Sequence, residues 1–315
     1  MNSNKRYVPI KAVTLALCLT ILGTSFIGCS TSKASSSNDN VKITSSVSNS
    51  STSQNKKPSY QTENLTLAQI KPTFSDTTWH GDTYVKIDEE SLLQIIRVAM
   101  KDAEKMYKSI GSYNMKLDPE TYEHTDTFYP DWMDEYFFLS RAKKESVYMI
   151  NYVGNVVNEL GYRAMGTMQV IPEYIVPTLN QYMQNTYKSK IRFDDYDLLP
   201  SANDIKNYKT SSNARENLKQ DVYDAVYTSI CYDIYNAKCT GPNHKDYYAK
   251  LGGYDESYRQ KVVTALYLFE RNDVISSLQN GTFLDSYGNS QYVRDILSYQ
   301  QTAKNNYENA SEFGN

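Results

Sequence analysis

Apolar residues are spread unevenly along the chain of 315 residues, and their spacing divides it into three parts. The first is a nearly continuous apolar run, VTLALCLTILGTSFI, ending at Ile27 and preceded by Lys5, Arg6 and Lys11. It is too short for a spanning helix, and its basic start predicts an export signal over residues 1–28. The second part, residues 29–57, has almost no apolar positions and is rich in Ser and Thr. Such a stretch cannot bury enough surface to fold, and its ~28 residues span about 30 Å as a flexible tether.

The third part, residues 58–315, carries helical periodicity. Leu92, Ile96, Ala99, Ala103, Met106 and Ile110 fall on one helix face, with Asp88 placed to start the helix and Gly111 to stop it. A second helix is expected from Pro130-Asp131 through Met149, and a third after Pro177. A fourth is expected from Asp221, where Val222, Val226, Ile230 and Ile234 form a stripe. Residues 256–270 and 291–304 predict two more. Residues 58–87 have no clear period and are expected to be irregular. Between Tyr187 and Asn217 the chain turns polar, which suggests a long loop with one short helix. No run predicts a strand. The fold class expected is mainly α: a single domain of six or more helices.

Composition narrows the partners. Hydrophobic residues make up 40% and charged residues 22%, enough apolar content for a packed core. The formal net charge is −3, and removal of the basic leader takes it near −6, which argues against nucleic acid. The three histidines are far apart and no cysteine pair has metal-ligand spacing, so neither metal nor cofactor is expected. Cys231 and Cys239 are eight residues apart, about 12 Å on one helix. A disulfide between them requires that helix to end near residues 236–238. Tyrosine is over-represented, with 29 residues against 9 Phe and 2 Trp. Each ring offers an apolar face and a polar hydroxyl, suited to a core, a surface or a groove.

One carboxylic acid stands out. In FFLSRAKKESVYM, Glu145 shares a helix face with Phe138, Ala142 and Met149. Desolvation there raises the pKa of a carboxyl group and suits it to donate a proton near neutral pH. The competing reading places Glu145 on a solvated charged face with Arg141, Lys143 and Lys144.

Glu145-Ser146 is followed by Gly166-Thr167-Met168-Gln169-Val170-Ile171-Pro172. This pair of segments resembles the soluble lytic transglycosylases, a lysozyme-like family that cleaves peptidoglycan. Family members carry Glu-Ser at a helix end, then Gly-Leu-Met-Gln-x-x-Pro. Val226 and Tyr232 match the pattern of the family's next helix, and Tyr267 in Ala265-Leu266-Tyr267 matches its final one. The likeness covers about residues 132–272. Thr167 replaces the family's Leu, Ala225 and Leu268 replace Asn, Ser229 replaces Gly, and the gap from Glu145 to Gly166 is longer. Phe26-Ile27-Gly28-Cys29 also resembles a bacterial lipobox, with Phe in place of Leu.

These resemblances imply a lysozyme-like monomer on the extracytoplasmic face of a bacterial membrane, anchored by lipid on Cys29 and acting on peptidoglycan glycan strands. Glu145 would be the acid and base. Ser146 would orient the acid or the sugar, Met168 would pack beneath the site, and Gln169 would bond substrate. Tyr232 and Tyr267 would complete the substrate site, with Tyr267 facing Glu145. Two alternatives remain at this level. A hydrolytic muramidase would need a second acid, for which Asp194, Asp195 and Asp197 are available. A glycan-binding lipoprotein without activity would fit the missing Asn residues.

Overall fold

The computed structural model describes residues 65–118, 120, 121, 123–157, 161–194, 197–239 and 255–312. The export signal, Cys29 and the Ser/Thr-rich segment lie outside these residues, as does Asp195.

The described chain is mainly helical. Helix α1, Glu89–Ser109, begins at Asp88, whose carboxylate accepts from the Ser91 amide at 2.9 Å. Its buried face holds Leu92, Ile95, Ile96, Ala99, Met100, Ala103 and Tyr107. Gly111 follows at φ +76°, a left-handed conformation that glycine adopts without a Cβ clash.

Helix α2, Glu135–Ser146, is capped by Asp134, which accepts from the Phe137 amide at 2.9 Å. It starts later and stops earlier than the hydrophobic spacing suggests. Residues 130–134 form a turn that supplies the cap, and Val147 and Tyr148 leave the helix at φ +52° and +68°. Every residue from Glu135 to Ala142 is buried, so α2 is an internal helix with core on all sides.

Helix α3, Pro172–Tyr187, carries Pro at its first position, where no amide is missed, and contains Pro177. It starts five residues before Pro177. A short α4, Ala202–Asn207, is the one helix expected in the polar segment. Helix α5, Ser212–Cys239, begins nine residues before the predicted start at Asp221 because Ala214 and Leu218 extend its buried stripe. Its 28 residues span about 42 Å. It runs unbroken through Cys231 and Cys239, and both thiols are free. Helices α6, Glu256–Leu268, and α7, Arg271–Asn280, follow; α7 was not foreseen. A π-helical turn at Leu284–Gly288 leads to α8, Gln291–Glu312.

Helix α2 packs between α1 and α8, while α5 packs against α1, α3, α4 and α6. The core therefore lies around α2 and α5. None of the described helices is long and apolar enough to cross a membrane.

Two antiparallel hairpins correct the expectation of no strands. Strands β1, Phe74–Trp79, and β2, Asp82–Ile87, pair from Phe74 opposite Ile87 to Trp79 opposite Asp82. His80 and Gly81 turn the chain at φ +51° and +91°, which is the geometry that tight hairpins require. Strands β3, Val153–Val157, and β4, Arg163–Met165, form a bulged pair. The chain leaving α2 lies along β2: Ile150 donates to the Val85 carbonyl at 2.9 Å, and Ile87 donates to Tyr148 at 3.1 Å. This fixes where the end of α2 points.

Candidate active site

Glu145 sits in the last turn of α2, partly buried. The η-hydroxyl of Tyr292, in the first turn of α8, donates to its Oε1. Burial pushes the carboxyl pKa up to about 7, although the Tyr292 hydroxyl and the charges of Arg141 and Lys144 oppose that rise. Lys144 is engaged elsewhere, bonding Asp295 of α8 at 2.6 Å. Lys143 sits 4.9 Å from the ring centroid of Tyr299. The lysines beside Glu145 thus tie α2 to α8, while Arg141 leaves the expected charged face for the interior.

Behind Glu145 is a buried charge cluster. Arg141, one turn earlier, is fully buried and bonds Asp233 of α5 at 3.1 Å. Its guanidinium lies 3.7 Å from the ring centroid of Tyr267 and 4.9 Å from that of Phe137. Burial works against the charged guanidinium. The negative charge of Asp233, with the nearby phenols and Glu145, more than reverses this, so Arg141 remains the cation. Burial raises Asp233 despite the ion pair, and the charge of Glu145 adds to that rise. Two acids therefore share one arginine, and the charge of Glu145 disfavours ionisation of Asp233.

The Gly166–Pro172 loop is positioned by these helices. Ser146 is buried and donates to the Thr167 carbonyl at 2.7 Å and to the Ala142 carbonyl at 3.2 Å. It stitches the end of α2 to the loop. Gly166 has φ +73°, and a Cβ there would lie 3.0 Å from the Leu198 carbonyl and 3.8 Å from the Ala225 methyl group. Ala225 is thus packed under the turn. Met168 is fully buried. Its carbonyl accepts from the Tyr267 hydroxyl at 2.7 Å, and that hydroxyl accepts from Ser229 at 3.1 Å. Gln169, at φ +50°, donates from Nε2 to the carbonyls of Tyr152 at 3.0 Å and Gly166 at 2.9 Å. Its amide closes the loop on the β3–β4 hairpin.

The structure therefore brings Glu145, Ser146, Met168, Gln169 and Tyr267 together around one helix end, from segments up to 122 positions apart. Tyr267 meets Glu145 through the same cluster: the Arg141 charge opposes, and the Glu145 charge adds to, a rise in its pKa that burial drives. Tyr232 lies one layer deeper, buried, with its ring 6.1 Å from Tyr267 and 6.4 Å from the exposed Tyr174. It supports those rings and offers no open face. Ser146 and Met168 are likewise internal supports.

Asp194 and Asp197 are exposed, and Asp197 accepts from the Leu199 amide at 3.4 Å. The carboxyl on which the charge of Glu145 acts is Asp233, which is buried against Arg141. Sequence reasoning missed both Asp233 and Tyr292. Asp233 sits on the apolar stripe of α5 beside Ile234, an unusual place for a charge and thus a readable signal. Tyr292 lies 147 positions from Glu145, outside the segment that resembles the transglycosylases. Among the described residues no group of His, Cys, Asp or Glu could hold a metal ion. Comparison with family models, curated proteins and solved structures finds no match for this chain.

Proposed function

We propose that the protein is a peptidoglycan lytic transglycosylase, held at the extracytoplasmic membrane face by lipid on Cys29, with Glu145 as its acid and base. The observation that supports this most is the placement of Glu145 at the end of a buried helix, bonded by Tyr292 and beside the Gly166–Pro172 loop, where burial pushes its carboxyl up to about 7. Near neutral pH such a group is present in both protonation states, as an acid that must donate and then accept requires.

The protonated carboxyl gives its proton to the oxygen that links N-acetylmuramic acid to N-acetylglucosamine. As the C1–O bond breaks, the substrate's own acetamido oxygen closes on C1 and shares the positive charge. The carboxylate then takes the proton of the 6-hydroxyl, whose oxygen attacks C1 and releases the acetamido group. The product is a 1,6-anhydro sugar. No water is consumed and no second carboxylate is needed, unlike the paired-acid glycosidases. The arrangement suits this path, because Asp233 is paired with Arg141 in the interior and has no route to activate water.

A binding role without chemistry is the second reading, favoured by the commitment of the Gln169 amide nitrogen to two backbone carbonyls. Digestion of purified peptidoglycan followed by mass spectrometry separates the two. Anhydro-muropeptides from the wild type and none from Glu145→Gln support the enzyme. Retention of glycan strands by both proteins, with no products, supports the binding protein.

A further inference from the structure

Helix α8 meets the end of α2 along one stripe. Tyr292, Asp295 and Tyr299 are spaced three and four apart, so they share a face. They meet Glu145, Lys144 and Lys143 respectively. Val293 and Ile296 of α8 are fully buried, so the helix is fixed against the core rather than laid loosely on it. Tyr292 itself is only 8% exposed. A phenol held this way has one donor, and that donor is aimed at a single carboxyl oxygen.

We propose that Tyr292 is a positioning residue of the active site: its hydroxyl occupies Oε1 of Glu145, which leaves Oε2 to carry the proton exchanged with substrate. The two oxygens of a carboxyl group are equivalent in solution. A fixed donor on one of them removes that equivalence and selects the rotamer in which the other faces outward. The inference rests on Glu145 being the reacting acid. It adds a requirement from α8, beyond the segment that resembles the transglycosylases.

The groups that face Glu145 are Arg141 and Lys144 from α2, Tyr292 from α8, Tyr267 from α6 and Asp233 from α5. Of these, Tyr292 is the one bonded to it directly. A donor to the carboxylate stabilises the charged form, so its loss moves the titration of Glu145 upward.

The test uses the full chain with carbon-13 carboxyl-labelled glutamate. The Glu145 signal is assigned by its absence in Glu145→Gln, and its titration midpoint is followed by NMR. Tyr292→Phe is expected to raise the midpoint by about one pH unit. Placing 3-fluorotyrosine at position 292 keeps the ring and strengthens the donor, so it is expected to lower the midpoint. With peptidoglycan, Tyr292→Phe is expected to reduce kcat about 10- to 100-fold with KM little changed, and to move the alkaline limb of the pH profile upward. An unmoved midpoint in both variants overturns the proposal, whatever the activity. Midpoints that shift in the two variants, together with a wild-type protein that forms no anhydro product, uphold the contact and remove the transglycosylase reading instead.

Discussion

Glu145 stands under opposed influences, and their balance makes predictions that need no substrate. Burial favours its neutral form, while Tyr292, Arg141 and Lys144 favour the charged one. Burial prevails, so its pKa in the folded chain lies above the unfolded value of about 4.5. A group raised in this way stabilises the fold at low pH, and that contribution is lost as pH rises through about 7. Asp134, raised to about 6, acts in the same direction. The melting temperature is therefore expected to fall between pH 5 and pH 8. Glu145→Gln should flatten part of this slope, as differential scanning calorimetry at the two pH values would reveal. In activity assays the same substitution should cost about 10³-fold or more, since it removes both proton transfers. This residue was legible in the sequence because an acid on an apolar helix face carries its own signal. Tyr292 was not, because only the docking of α8 brings it to the acid.

At the level of elements, the loop after β4 depends on backbone positions that few residues accept. Val147, Tyr148 and Gln169 all have left-handed φ, and they flank the acid and the loop. For β-branched Val147 this conformation is strained, and its neighbours must hold it in place. Gly166 adds a turn that packs on the Leu198 carbonyl and Ala225. Gly166→Ala should destabilise the protein by about 1–3 kcal/mol and shift the amide signals of Thr167, Met168 and Gln169. Urea unfolding and NMR would measure the two effects. The buried Arg141–Asp233 pair joins α5 to α2. Arg141→Met strands a buried carboxylate and should cost about 3–5 kcal/mol, with much of that regained in the double variant Arg141→Met/Asp233→Leu. If the double variant unfolds at lower urea than the single, the pairing is not what stabilises this interface.

The helices with a clear apolar stripe and a capping acid, α1 above all, were readable because local chemistry determines them. The hairpins were not. Strand β3 reads VGNVV, which is short and interrupted by Gly and Asn, and it pairs with the still shorter β4 through a bulged register. Strand β1 is mostly exposed, with no buried residue, and takes its register from β2. The early start of α5 was hidden because residues 212–220 are mostly polar and only Ala214, Leu218 and Lys219 are buried there.

At the scale of the whole molecule, several of the described tyrosines serve the interior, and most of the others are half-buried. Tyr107, Tyr129 and Tyr148 are buried, with hydroxyls bonded to the Cys231 carbonyl, the Met100 carbonyl and Glu89. Tyr223 bonds Asp102 in the same manner. These phenols fill space as Phe would and also satisfy polar groups that join distant helices. Buried Tyr232 links the rings of Tyr267 and the exposed Tyr174, so of these three Tyr174 is the one that offers an open face. The last helix belongs to the core and not to a tail. A chain ending at residue 290 should expose the surfaces that α8 covers and lose its cooperative thermal transition, readable by circular dichroism.

The most direct measurement is mass spectrometry of peptidoglycan digested by the wild-type protein at neutral pH. Muropeptides ending in 1,6-anhydro-N-acetylmuramic acid are expected, absent after Glu145→Gln. Reducing-end muropeptides 18 Da heavier, or no cleavage at all, would contradict the proposed reaction.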